Sequence, residues 1–328
     1  MIYPAIIRTI KASKKILITT HINPDGDAVG ALLGLYIALS RAGFQVLPVI
    51  DDDFPELYKF LKGWENIKKP NDPEVLAEKD KIDLFIALDC GDVERLGASA
   101  MYMEGKTVIN IDHHISNTVF GTLNMIDSNA AAAGEMVYQV IKILGLPLDK
   151  DVAEAIYTAI VTDTGQFRYS NTTSVTHQIA GDLINNGVET SYMYEQIYQN
   201  ISKARILLSG KAINTLKLSF DDKVACMTVT LENMTETGAK GADAEGIIDF
   251  GRDIDTVEVA ILFKENEKEK IKVSFRSKKY IDVAEIAQEY GGGGHARASG
   301  CTINKTLKEA EEIILSRIEK ALKNNEVI

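Results

Sequence analysis

Cysteine is scarce in this chain. Its 328 residues contain three, Cys90, Cys226 and Cys301, odd in number and far apart. That excludes a disulfide framework and a paired-thiolate zinc site, and predicts a reducing compartment. Long apolar runs are also missing, with no stretch of about 18 residues that reads as a membrane span. The opening Met1-Ile2-Tyr3-Pro4 lacks the basic-then-apolar layout of a secretory leader. A cytoplasmic protein without membrane association is the expectation. Neither a Walker-type lysine loop nor a Gly-x-Ser-x-Gly elbow occurs, which removes the common nucleoside triphosphatases and serine hydrolases. Basic excess is lacking too: the net charge of −11 disfavours a protein that coats long nucleic acid.

The charge that is present is unevenly spread. Residues 1–202 carry 16 Lys/Arg against 26 Asp/Glu, whereas residues 203–328 carry 20 against 21. An acidic first part suits a site that gathers cations, and a neutral second part leaves room for local basic groups that meet an anion. Up to about residue 190, β-branched strand candidates at 15–20, 44–50, 83–88 and 107–111 alternate with helical patterns at 28–42, 133–144, 152–162 and 174–186. This alternation predicts an α/β domain, a mainly parallel sheet with helices on both faces. Residues 189–215 read as a helical connector. Strands at 224–230, 257–264 and 270–276, with helices at 283–290 and 307–323, predict a smaller α+β domain at 216–328 after the first domain at 1–188.

Four acidic or imidazole groupings stand out. His21-Ile22-Asn23-Pro24-Asp25-Gly26-Asp27 follows the first strand directly, where open α/β sheets place their sites. A turn with Asp27 capping the helix that begins at Ala28 is the plainer alternative. Asp89, followed by Cys90-Gly91-Asp92, ends the third strand candidate, and Asp112-His113-His114 ends the fourth. Asp163, in Thr162-Asp163-Thr164-Gly165, ends an apolar helix. Singly, each reads nearly as well as a cap or a polar exit from the core. Together, His21, Asp25, Asp27, Asp89, His113 and Asp163 would repel one another in a dry cleft unless cations neutralised them. Mixed carboxylate and imidazole donors without thiolate favour Mn²⁺, Mg²⁺, Co²⁺ or Fe²⁺, and two such ions serve phosphoryl displacement. In the second domain, Gly291-Gly292-Gly293-Gly294-His295-Ala296-Arg297-Ala298-Ser299-Gly300 has the glycines of an anion nest beside His295, Arg297 and Ser299. Arg276 and Ser277, near the end of a strand candidate, could join it with a guanidinium fork.

The ordered set HINPDGDAVGA, LDCGD, IDHH, VTDTG and GGGGHARASG resembles the DHH phosphoesterase family with its DHH-associated C-terminal domain, over nearly the whole chain. The resemblance implies one metal on His21, Asp25 and Asp89, and a second on Asp27, Asp89, His113 and Asp163. It further implies that His114 faces the scissile phosphate and Asp112 orients the histidines. Arg276, Ser277, Gly293, Gly294, His295, Arg297 and Ser299 become the expected substrate-binding set. Two divalent cations, Mn²⁺ foremost with Mg²⁺ or Co²⁺ as substitutes, are the expected cofactors. Short oligonucleotides or a nucleoside bisphosphate are the expected partners, and an oligomer is compatible with the sequence. Cyclic dinucleotide hydrolysis, pyrophosphate hydrolysis and silent nucleotide sensing are the rival functions. The glycine motif opposes pyrophosphatase, and the filled ligand positions oppose a sensor.

Overall fold

The computed structural model describes residues 3–325, without the side chains of His295 and Asn325. It divides into two compact units, 1–200 and 201–328. The first is built from α1 (Tyr3–Ala12), β1 (Lys15–Thr19), α2 (Gly26–Arg41), β2 (Gln45–Val49), α3 (Pro73–Leu76), β3 (Leu84–Leu88), β4 (Thr107–Asp112), β5 (Leu123–Ile126), α4 (Ala133–Leu144), α5 (Lys150–Asp163), α6 (Ser174–Asn185) and α7 (Thr190–Tyr198). Its five strands are all parallel, in the order β2-β1-β3-β4-β5. The chain leaves β1 for one edge and returns to its other side at β3. The crevice at the carboxyl ends of these two strands is therefore a topological switch point, where α/β sheets bind ligands.

Strand alternation sorts the core. Ile16, Ile18, Leu84, Ile86, Ile109 and Ile111 pack with α2, α4 and α5 on one face of the sheet. Leu17, Phe85, Ala87 and Val108 point to the other, under α3 and short 3₁₀ turns that contribute Leu96 and Tyr102. The helices on the first face approach unusually closely. A Cβ on Gly30 of α2 would lie 2.4 Å from the Ala155 carbonyl of α5, and one on Gly134 of α4 would lie 2.5 Å from Ala159 Cβ.

The second unit comprises α8 (Lys203–Ile213), β6 (Lys217–Ser219), β7 (Val224–Val229), α9 (Leu231–Thr237), α10 (Ile247–Arg252), β8 (Val259–Glu267), β9 (Lys270–Ser277), α11 (Val283–Gln288), β10 (Gly293–His295), β11 (Ala298–Ile303) and α12 (Leu307–Asn325). Its six-stranded mixed sheet runs β10-β11-β9-β8-β7-β6. Ile271, Val273 and Phe275 of β9 pack under α11 and α12, while Leu262 of β8 packs with α10 and α8 on the opposite face. Among the described residues no helix is long and apolar enough to cross a membrane.

Two local readings change. Helix α2 begins at Gly26, so Asp25 is its cap, accepting the Ala28 N–H at 3.1 Å; Asp27 lies inside its first turn and does not cap it. The glycine run, read from sequence as an anion nest, is built into the sheet. It forms the edge hairpin of β10 and β11, in which Gly293 pairs with Gly300 and Gly294 with Ser299.

Candidate metal centre

The loops after β1, β3 and β4 and the end of α5 bring the six expected ligands together. Three interlocking groups form: His21, Asp25 and Asp89; Asp27, His113 and Asp163; and Asp89, His113 and His114. In each, the candidate ligand atoms lie within 4.8 Å of one another. Asp89 and His113 each belong to two groups. The Thr20 hydroxyl donates to the Leu88 carbonyl at 2.8 Å, and the Asp89 N–H donates to Ile111 at 2.9 Å. These bonds tie the three strand ends into one rim. Asp89 itself adopts a left-handed backbone with φ of 51°, and stored strain of that kind clusters at functional positions.

Hydrogen bonds fix which ring nitrogen each histidine offers. His21 Nδ1 lies 2.7 Å from the Ile22 carbonyl, and His113 Nδ1 lies 3.2 Å from the Ala130 carbonyl. A carbonyl accepts only, so both Nδ1 atoms carry the proton and both Nε2 atoms are left for a cation. His113 Nε2 stands 3.5 Å from Asp27, 3.5 Å from Asp89 and 3.8 Å from Asp163. His114 differs: its Nδ1 pairs with Asp112 Oδ1 at 2.7 Å, and its side chain is one-third exposed. Asp112 is fully buried, and Asn117 donates to its other oxygen at 2.5 Å as well as to Asn110 at 2.8 Å. Asn117 and Asn171, which donates to the Asp163 carbonyl and carboxylate, were not expected from sequence. An Asn five residues past Asp112 is the only signal that marks the first.

Asp27 is 1% exposed and accepts the first N–H groups of α4, from Ala133 at 2.6 Å and Gly134 at 2.9 Å. It thus stands at the positive end of a helix dipole. Burial, and then repulsion from Asp89, still push its carboxyl well above the usual range. Burial also raises Asp163, to about 6, although His113 opposes the rise. Burial would raise Asp89 too, but the imidazoles of His113 and His21, whose Nε2 atoms stand 3.5 Å and 3.6 Å from its oxygens, outweigh it and hold the carboxyl far below the usual range. Burial disfavours a charged His113, yet Asp89, Asp27 and Asp163 lift it to about 10. Asp27, Asp89 and Asp163 thus lean on the neighbouring imidazoles for countercharge. Asp89 Oδ1 is buried without a hydrogen-bond partner, an arrangement that is costly unless a cation meets it. The donor set fits divalent metal ions.

The expected substrate-binding residues diverge. Arg276 is half-buried, its Nη1 donating to the Phe275 carbonyl at 3.0 Å. The Ser277 hydroxyl donates to Ile281 at 2.7 Å, and the Ser299 hydroxyl donates to Val283 at 2.5 Å. Both serines are buried, and these bonds fasten β9 and β11 to the segment leading into α11. Arg297 Nη1 donates to Ile281 at 2.6 Å. Gly294 has φ of 142°, and a Cβ there would meet the Ala298 carbonyl at 2.5 Å, so the hairpin itself requires glycine. Gly293 faces open space. The His295 side chain lies outside the described residues, but its backbone pairs with Ala298, which pairs in turn with Arg276.

Comparison with known proteins agrees with this architecture. Residues 15–160 match the DHH family, N-terminal domain, and residues 209–324 match the DHHA1 domain. The bifunctional oligoribonuclease and PAP phosphatase NrnA of Thermus thermophilus is 32% identical over 311 residues, covering 94% of this chain and 90% of that protein. The Bacillus subtilis protein of the same name is 30% identical, covering 98% and 99%. A crystal structure of an exopolyphosphatase-related protein from Bacteroides fragilis superposes with a TM-score of 0.88 at 27% identity, covering 98% of this chain and 95% of that one.

Proposed function

The chain belongs to the DHH family of phosphoesterases and carries a DHHA1 domain, and on that basis we propose that it hydrolyses very short oligonucleotides. Substrates of about two to five nucleotides, linear di-AMP among them, yield nucleoside 5′-monophosphates. The same centre removes the 3′-phosphate of 3′-phosphoadenosine 5′-phosphate. The observation that carries this reading is the buried, unpartnered Asp89 oxygen at the middle of the ligand cluster. The two NrnA relatives, named for both activities, support it.

His21, Asp25 and Asp89 would hold one divalent cation, and Asp27, Asp89, His113 and Asp163 a second, with Mn²⁺ as the expected ion. When bound, such a pair activates water and stabilises the entering and leaving oxygens of phosphoryl displacement. The chain's own groups orient the reaction. The Asp112 hydrogen bond, working against burial, holds His114 above the usual histidine range and favours its charged form. With Nδ1 committed to Asp112, Nε2 becomes the donor aimed at a phosphoryl oxygen, where charge develops in the transition state. Asn117 keeps Asp112 from turning away. Cys90 takes no part: burial pushes its thiol up to about 12, and its Sγ donates to the Asp92 carbonyl. In the second unit, Arg276 would bind a phosphate that is not being cleaved.

The test is product analysis on labelled oligonucleotides of graded length in Mn²⁺, with the nucleoside bisphosphate included. Monophosphate products, fastest from the dinucleotide, and phosphate release from the bisphosphate are expected. Faster cleavage of long RNA than of dinucleotides would overturn the proposal.

A further inference from the structure

On the face of the second sheet that carries Arg276, β9 also presents Ser274 and Lys272, because alternate residues share a face. Across the ladder, Lys272 pairs with Lys264 of β8, and Ser274 pairs with Leu262. Together with the segment preceding α10, these residues line a cavity of about 350 Å³ floored by Leu262, in which Glu245 is the only acid. That volume lies in the range of small-ligand sites. Elsewhere in this unit Lys211, Lys217, Arg252, Lys270, Arg317 and Lys323 all find carboxylate partners. Lys264, Lys272 and Arg276 are among the several cations of this unit that form no ion pair among the described residues, and they are the ones that this cavity gathers. Burial, and then the neighbouring Lys272, hold the Lys264 ammonium below its usual range, so the two lysines stand close enough to repel. Three cations gathered in a cavity against a single carboxylate, Glu245, leave an excess of positive charge that suits an anion.

The spacing says more. Four residues of strand separate Arg276 from Lys272, roughly 13 Å between Cα atoms at about 3.3 Å per residue. One phosphate group cannot occupy both ends. The small Ser274 side chain sits between them, and beyond it the ladder continues into Gly300 and Gly293, which bear no side chains. We propose that Lys264 and Lys272 form a second phosphate subsite, which takes the backbone phosphate of a substrate nucleotide beyond the one met by Arg276. The subsite rests on the oligonucleotide reading above and deepens it: it accounts for accepting substrates longer than a dinucleotide.

The test uses the full chain carrying Lys264→Gln and Lys272→Gln together. An unphosphorylated dinucleotide contains only the scissile phosphate, whereas a pentanucleotide offers further ones. KM for the pentanucleotide should rise roughly tenfold, and KM for the dinucleotide less than about twofold. The slope of log KM against log salt for the pentanucleotide should fall by about 0.7, the contribution of one single-strand phosphate contact. Equal shifts on both substrates, or none on the pentanucleotide, would overturn the subsite. A separate readout needs no catalysis. Tripolyphosphate, titrated calorimetrically into the metal-free protein, should bind the native chain and bind the double variant at least about tenfold more weakly. Under those conditions the acidic cluster of the first unit repels the probe. No binding, or equal binding, removes the site even if oligonucleotide hydrolysis stands. Tripolyphosphate binding lost in the variant supports it even if the oligonucleotide reading fails.

Discussion

Asp89 holds a left-handed backbone, which costs most residues about 1–2 kcal/mol but is tolerated by Asp and Asn. That tolerance decides which substitution is informative. Asp89→Ala would confound lost ligation with backbone strain, whereas Asp89→Asn keeps the shape and removes the charge. In Asp89→Asn, hydrolysis should fall by more than about a hundredfold, and bound Mn²⁺ measured calorimetrically should drop below two per chain. Retention of full activity at saturating Mn²⁺ would remove the shared-ligand role. The place of Asp89 in the cluster was legible only jointly, because a carboxylate at one strand end gains meaning beside His21, Asp25, His113 and Asp163. Asn117 was not, since its importance lies in reaching back to Asp112 across a turn that no local pattern encodes. Ser277 and Ser299 show the opposite failure. Their hydroxyls look available in a glycine-rich motif, yet main-chain carbonyls of the segment leading into α11 consume them.

The three helices behind the cluster, α2, α4 and α5, meet through small residues, and Gly30 is the tightest point. Alanine there would gain about 1 kcal/mol of helix propensity. Its Cβ would also press on the Ala155 carbonyl and the Ala159 nitrogen, which are backbone atoms and cannot swing aside. Overpacking of that kind costs about 1–3 kcal/mol, so the clash wins. Gly30→Ala should lower the midpoint of chemical denaturation despite the better helix former; an unchanged or raised midpoint would show that α2 and α5 can part without cost. Helices α2, α4, α5 and α6 were readable because their apolar periodicity is long, whereas α1 and the four-residue α3 were not read. The β10–β11 hairpin was not readable, because Gly293 and Gly294 carry neither β-branching nor alternation, and pairing with β11 alone makes them strand. Residues 93–102, wound into 3₁₀ turns with Gly97 breaking the run, likewise offered no helical period.

At the scale of the molecule, the six candidate ligands all belong to the first unit, and Arg276, Lys264 and Lys272 all belong to the second. A substrate that reaches Arg276 should feel its loss, and one too small to do so should not. Arg276→Ala is therefore expected to raise KM for dinucleotides that carry a terminal phosphate, by a factor equivalent to about 2–5 kcal/mol if the contact is fully desolvated, with a far smaller effect on a synthetic phosphodiester such as bis(p-nitrophenyl) phosphate. Equal losses on the two would show that the second unit does not contact the substrate. The same partition separates affinity from acidity. The groups that set the protonation of Asp27, Asp89, His113, His114 and Asp163 are their own neighbours within residues 1–200. Substitutions confined to the DHHA1 unit can thus change the cavity that gathers Arg276, Lys264 and Lys272 while the charge balance of the first unit's acidic and imidazole cluster stays as it is.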